Sequence, residues 1–218
     1  MIPAKICGIT RLEDALLAIE LGASAVGFIF YEKSPRYINV DVAAKICEQF
    51  PKNVSRVGVF ANPDLQTMLS IVAAVSLTHV QLCGEETPSL SLQSPLPIIK
   101  SVRSTSSKGI EALKQFPAAA LLVDSWKNGQ YGGTGKLSDW NFCRLLRATR
   151  LTILAGGISS ENVESAILNA QPDAVDLCSS VEKSPGVKDH EKLKAFFETL
   201  RSINDDHGRL SNGFLSLS

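Results

Sequence analysis

Apolar and polar positions along the chain follow two alternating regimes. Short runs that are apolar at nearly every position give way to longer stretches in which apolar residues recur every three or four positions. The short runs fall at 4–9, 25–30, 55–60, 77–82, 97–102, 118–123, 151–155 and 174–177. Each reads as a buried strand. The helical stretches lie at 12–21, 40–50, 63–74, 85–92, 107–115, 138–147, 160–170 and 189–203. The first carries Leu12, Ala15, Leu16 and Ile19 on one face. Thr10 is its expected N-cap, Glu13 completes a capping box, and Gly22 is a natural C-terminal stop. The stretch at 85–92 is the least helical, because Pro88 and the serines around it favour a loop.

Strand and helix therefore alternate eight times along 218 residues, roughly 27 residues per unit. The strands are apolar on both faces, as a parallel sheet covered by helices requires. The pattern predicts an α/β fold, a single-domain (β/α)8 TIM barrel. An open doubly wound sheet is the weaker alternative, since periodicity alone does not prove closure. The barrel is expected to span 1–204. Residues 205–218, with Gly208 and Gly213 among polar neighbours, are expected to form a flexible C-terminal tail.

Composition narrows the function classes. With 22 basic and 22 acidic residues the formal charge is zero, so a nucleic-acid partner held by phosphate neutralisation is not expected. No apolar run is long enough to cross a membrane. Glu13 and Asp14 interrupt the N-terminal region before any signal-peptide core could form. Cys7, Cys47, Cys83, Cys143 and Cys178 are odd in number and widely spaced, without a CxxC pair. Free thiols in a reducing cytoplasm are the simplest reading. His79, His190 and His207 form neither a triad nor a metal-ligand spacing. His79, inside a strand, reads as structural, and no metal site is expected.

In a βα barrel the working groups sit at strand C-termini and in the loops after them. The first strand ends Lys5-Ile6-Cys7-Gly8. By position alone, Cys7 is a small core residue, a nucleophile or a base. The sixth ends Leu122-Val123-Asp124-Ser125, where Asp124 either caps a turn or serves as an acid whose pKa burial has raised. Gly132-Gly133-Thr134-Gly135 offers backbone amides to an anion or forms a plain flexible turn. Gly156-Gly157 after the seventh strand and Ser179-Ser180 after the eighth match the phosphate cradle that these two loops often build. Arg36, in Ser34-Pro35-Arg36-Tyr37, can grip a carboxylate or phosphate with two parallel bonds, or simply be solvated.

Taken in order, Lys5-Ile6-Cys7-Gly8-Ile9-Thr10, Gly27-Phe28-Ile29-Phe30, Ser34-Pro35-Arg36-Tyr37, Val57-Gly58-Val59-Phe60 and Val80-Gln81-Leu82 resemble the phosphoribosylanthranilate isomerase family of tryptophan biosynthesis. The likeness continues through Asp124-Ser125, Gly132-Gly133-Thr134-Gly135, Asp139-Trp140, Ala155-Gly156-Gly157, Val181-Glu182 and Pro185-Gly186-Val187-Lys188-Asp189. It covers residues 3 to about 200. It implies a cofactor-free Amadori rearrangement of N-(5-phosphoribosyl)anthranilate, with Asp124 as general acid and Cys7 as general base. It further implies that Arg36 holds the anthranilate carboxylate. Gly156, Gly157, Ser179 and Ser180 would hold the phosphate, helped by Gly133 and Gly135. A small-molecule partner and a monomer rather than a homodimer are expected.

Three positions depart from the family pattern. Cys83 stands where histidine is usual, Cys178-Ser179-Ser180 replaces Ser-Ser-Gly, and Ser138 replaces an aromatic. None of them is Cys7 or Asp124. An indole-forming synthase would need catalytic lysine and glutamate at strand ends. Lys5 lies two residues before Cys7 and so points the same way, one layer deeper. A metal-dependent epimerase would need histidine and aspartate ligands there. A barrel that only binds its ligand would be indicated by loss of Cys7 or Asp124, and both are present.

Overall fold

The computed structural model describes residues 1–103, 110–125 and 139–207, with Lys114 and 204–207 as backbone only. Within them, eight parallel strands close into a barrel in chain order: β1 (Ala4–Cys7), β2 (Ala25–Ile29), β3 (Ser55–Phe60), β4 (His79–Leu82), β5 (Ile98–Val102), β6 (Ala120–Val123), β7 (Leu151–Leu154) and β8 (Ala174–Leu177). Helices follow in turn: α1 (Leu12–Leu21), α2 (Val40–Cys47), α3 (Leu65–Val75), α4 (Pro88–Leu92), α5 (Ile110–Gln115), α6 (Trp140–Arg147), α7 (Val163–Ala170) and α8 (His190–His207). β1 pairs with β8, Lys5 beside Asp176 and Ile6 beside Leu177, which closes the sheet and excludes the open alternative.

Alternation along each strand produces two cores. Ala25, Val57, Ile99, Ala120, Leu122, Ile153 and Ala174 fill the barrel interior, where eight strands leave room only for compact side chains. Ile6, Val26, Phe28, Val80, Leu82, Leu121, Leu154 and Val175 point outward and pack under the helices. Larger residues belong there because the strand–helix layer is open to broad side chains. Phe28, for example, stacks on Phe50 at 6.1 Å between ring centres.

The start of α1 differs from its expected form. Arg11, not Thr10, is the N-cap, and it makes no side-chain cap bond. The Thr10 hydroxyl instead donates to the Gly186 carbonyl, far along the chain. The buried face of α1 is also rotated: Leu12 and Leu16 are exposed, while Asp14, Ala15 and Ala18 are buried. Asp14 is drawn inward because its carboxylate accepts the Lys188 backbone N–H at 2.9 Å and meets His190 Nε2 at 2.8 Å. Gly22 does end the helix in the left-handed region.

The doubtful stretch at 85–92 shortens to α4, five residues long, with Thr87 as N-cap and Pro88 in its first turn. After β8 the chain adds what periodicity did not reveal. A 3-10 turn (Ser179–Val181) leads into a hairpin of β9 (Glu182–Ser184) and β10 (Val187–Lys188). α8 runs past the boundary expected at 204, and the rest of the expected tail, 208–218, lies outside the described residues.

Candidate active site

Cys7 is the last residue of β1, and its side chain enters the barrel mouth. Gly27, its pairing partner on β2, makes the space: a Cβ there would stand 2.9 Å from Cys7 Sγ. Gly8 turns the chain away at φ +73°, and a side chain there would collide with Arg36 Cδ at 2.9 Å. Cys7 is pulled down to about 7, first by the neighbouring Cys178 thiol. Burial and Asp176 oppose the shift, whereas Lys5 and Lys188 support it. One layer below, the Lys5 ammonium is fully buried against Asp176 Oδ1 at 2.8 Å. Burial works against its charge, but Asp176 and Cys7 outweigh that and hold Lys5 protonated. Sequence reasoning placed Lys5 correctly below Cys7 and missed Asp176.

Asp124 directly follows β6, and one of its carboxylate oxygens accepts from the Ser125 N–H at 2.7 Å. It is pushed up to about 6, mainly by burial and then by the charge of Asp176, against the pull of the Ser125 bond, Lys5 and Arg103. Asp124 is therefore no turn cap alone. It faces a cleft shared with Gly156, Gly157, Asp176, Cys178, Ser179 and Ser180.

That cleft gathers four of the expected phosphate residues. Gly156 and Gly157 are both left-handed, at φ +78° and +69°. A Cβ on Gly156 would meet the Ser125 backbone nitrogen at 2.6 Å, so only glycine fits. Asn162 braces the loop, donating to the Gly157 carbonyl at 2.8 Å and accepting from the Ser159 N–H at 2.9 Å. Ser180, where glycine was usual, sits in the 3-10 turn and has no positive φ, so it carries no backbone strain. Gly133 and Gly135 lie outside the described residues.

Arg36 is not the solvated loop residue that its isolation suggested. Its side chain is 12% exposed, and Nη2 and Nε reach the Glu182 carboxylate at 2.7 and 3.0 Å. Glu182 in turn accepts from Lys188 Nζ at 3.0 Å, and that ammonium also donates to the Cys7 carbonyl at 2.6 Å and the Cys178 carbonyl at 3.3 Å. The two cations hold Glu182 ionised below the usual carboxylate range despite its burial. Glu182 and Lys188 had appeared only as letters in a family motif. Their signal was a charged pair flanking a Pro-Gly turn, six residues apart.

Cys83 is a neutral thiol, pushed up to about 12 by burial, and accepts from Gln81 Nε2 at 3.3 Å. His79 is structural, as expected: burial lowers it to about 4, and Nδ1 lies 2.9 Å from the Thr78 hydroxyl. A larger hollow of about 410 Å³ opens at the opposite end of the barrel, beside Arg147, Arg150 and Asp173. It is not the candidate site. Arg147 pairs with Asp173, and Arg150 binds the carbonyls of Phe116 and Ala118, so these cations stitch the bottom of the barrel together. Among the described residues no group of three His, Cys, Asp or Glu side chains is arranged to hold a metal.

Comparison with known proteins gives one consistent family. Residues 4–199 match the model for N-(5'-phosphoribosyl)anthranilate isomerase. The isomerase of that name from Syntrophus aciditrophicus is 42% identical over 202 residues, 92% of this chain and 88% of the relative. The crystal structure of the Thermus thermophilus phosphoribosyl anthranilate isomerase superposes with a TM-score of 0.85 at 41% identity, covering 92% of this chain and 99% of that one. A second crystal structure of such an isomerase is a complex with reduced 1-(o-carboxyphenylamino)-1-deoxyribulose 5-phosphate. It superposes with a TM-score of 0.82 at 38% identity, covering 93% of this chain and all of that one.

Proposed function

The chain belongs to the N-(5'-phosphoribosyl)anthranilate isomerase family, and from that premise we propose that it rearranges N-(5'-phosphoribosyl)anthranilate with Asp124 as general acid and Cys7 as general base. Asp124 donates its proton to the furanose ring oxygen. The ring opens, and the anilino nitrogen forms an iminium with C1. The Cys7 thiolate then removes the proton from C2, whose electrons flow into the iminium to give an enolamine. Tautomerisation yields 1-(2-carboxyphenylamino)-1-deoxyribulose 5-phosphate.

The observation that carries this reading is the opposite displacement of the two groups. Cys7 is lowered to about 7 and Asp124 raised to about 6 in the same barrel mouth. A base and an acid titrating near neutrality suit proton transfer at physiological pH. Lys5 balances the thiolate charge from below. Arg36, with Glu182 occupying Nε and Nη2, keeps Nη1 for the substrate carboxylate. The amides of Gly156 and Gly157 and the hydroxyls of Ser179 and Ser180 take the phosphate. We assign the enzyme to the cytoplasm as a monomer. Its cysteines are unbridged, and no helix among the described residues is long and apolar enough to cross a membrane.

The test follows the fluorescence of freshly formed substrate. Cys7→Ala and Asp124→Asn each lower kcat by at least about 10²-fold, the scale of a lost acid or base. Near-full activity in either variant removes that residue from its role.

A further inference from the structure

We propose that Cys7 and Cys178 form an oxidation site, at which a peroxide converts the two thiols into a reversible disulfide and Cys7 can no longer act as the base. The loss of activity rests on the reading of Cys7 as the base; the bond itself does not. Its ground is the register where β1 meets β8. Lys5 pairs with Asp176, and their inward-pointing side chains meet at 2.8 Å. Ile6 pairs with Leu177, and both point outward under the helices. Cys7 and Cys178 come next, so the alternation turns both toward the barrel mouth. Their backbones are held together, because the Lys188 ammonium donates to both carbonyls, at 2.6 and 3.3 Å. The Cys178 sulfur leans toward the end of β1, where a Cβ on Gly8 would stand 3.0 Å from it. Neighbouring strands run about 4.8 Å apart, inside the roughly 4.4–6.8 Å between Cα atoms that a disulfide spans.

The other thiols stand elsewhere. Cys83 follows β4, across the barrel from β8, and Cys47 and Cys143 belong to α2 and α6 and pack in the outer core. Cys178 is half-buried and lines the cleft that Asp124 faces, so a reagent as small as hydrogen peroxide reaches the pair by the substrate's own route. Cys7 reacts first, because its thiolate forms near neutrality. The thiolate attacks one peroxide oxygen, the O–O bond breaks, hydroxide leaves, and Cys7 becomes a sulfenic acid. The Cys178 sulfur then attacks the Cys7 sulfur. The S–S bond forms, the S–O bond breaks, and the hydroxyl leaves as water with the proton of Cys178. Glu182 Oε1, which accepts from the Cys178 thiol at 3.9 Å, is placed to carry that proton. The pair of sulfurs gives up two electrons, and peroxide is reduced to water and hydroxide.

The experiment treats the reduced full chain with hydrogen peroxide, blocks the remaining thiols with iodoacetamide and maps the unreduced peptides by mass spectrometry. The expected product is the Cys7 peptide joined to the Cys178 peptide, lighter than their sum by two hydrogens. Activity falls in step with the joined fraction, by at least about 10²-fold when joining is complete, the scale of a lost base. Dithiothreitol restores it. Cys178→Ala forms no joined peptide. Its Cys7 oxidises onward to the sulfinic acid, so dithiothreitol does not return that variant to its own starting activity. Absence of the joined peptide from the oxidised parent overturns the proposal, as does joining of Cys7 to Cys83 in its place. A Cys178→Ala variant that is inactivated and restored as the parent is overturns it too. A fully joined chain that keeps its activity upholds the disulfide and overturns the reading of Cys7 as the base.

Discussion

Burial pushes both Cys7 and Asp124 upward, yet they end on opposite sides of their ordinary values. The difference lies in their partners. Cys7 has the Cys178 thiol and the Lys5 ammonium near it, whereas Asp124 has the Asp176 carboxylate nearby. The working form needs Cys7 ionised and Asp124 protonated. Raising pH through about 7 ionises Cys7, and raising it through about 6 removes the Asp124 proton. The product of the two fractions is a bell with its maximum near about pH 6.5, midway between them. Asp124→Asn loses the falling limb and keeps the rising one in its residual rate. A kcat/KM that is flat between about pH 5.5 and 7.5 contradicts the assignment. Both side chains were named from strand position and family likeness. Their ionisation was not legible, because it depends on burial and on groups from other strands, Cys178 beside Cys7 and Asp176 beside Asp124.

At the scale of elements, the hairpin of β9 and β10 is the part of the fold that serves the site most directly. It carries Glu182, which orients Arg36, and Lys188, which ties the ends of β1 and β8 together. Thr10 and Asp14 anchor it from the side of α1. Lys188→Met removes a buried ammonium from one carboxylate and two carbonyls and leaves Glu182 with Arg36 as its remaining ion-pair partner. Breaking a buried ion pair in this way costs about 3–5 kcal/mol. Urea unfolding of the variant measures it, and a loss below about 1 kcal/mol shows that the hairpin is not a strap. The eight strands were legible within one or two residues at most ends, because buried strands read as unbroken apolar runs. This hairpin was not. Two strands of three and two residues are too short to form a period, and their stability comes from contacts with β1 and α1.

At the scale of the whole molecule, the described residues include a small set of large exposed apolar side chains. They are Leu12 and Leu16 on α1, Tyr37 between β2 and α2, Val42 on α2, Leu92 on α4, Leu145 on α6 and Leu168 on α7. Apolar residues exposed singly are normal on the surface of a monomer. Light scattering is expected to return a mass of 23.5 kDa at micromolar concentration. Twice that value overturns the monomer.

The sequence by itself determined the alternation of strands and helices, the candidate strand-end residues and the family pattern. Each of these is written in local order: apolar period, turn residues and motif spacing. Closure of the barrel, the inward turn of Asp14, the pairing of Arg36 with Glu182 and the charge states of Cys7 and Asp124 were decided by tertiary structure alone. They depend on desolvation and on charges brought together across β1, β6, β8 and the hairpin. Residues far apart in the chain acquire those interactions only when the sheet closes.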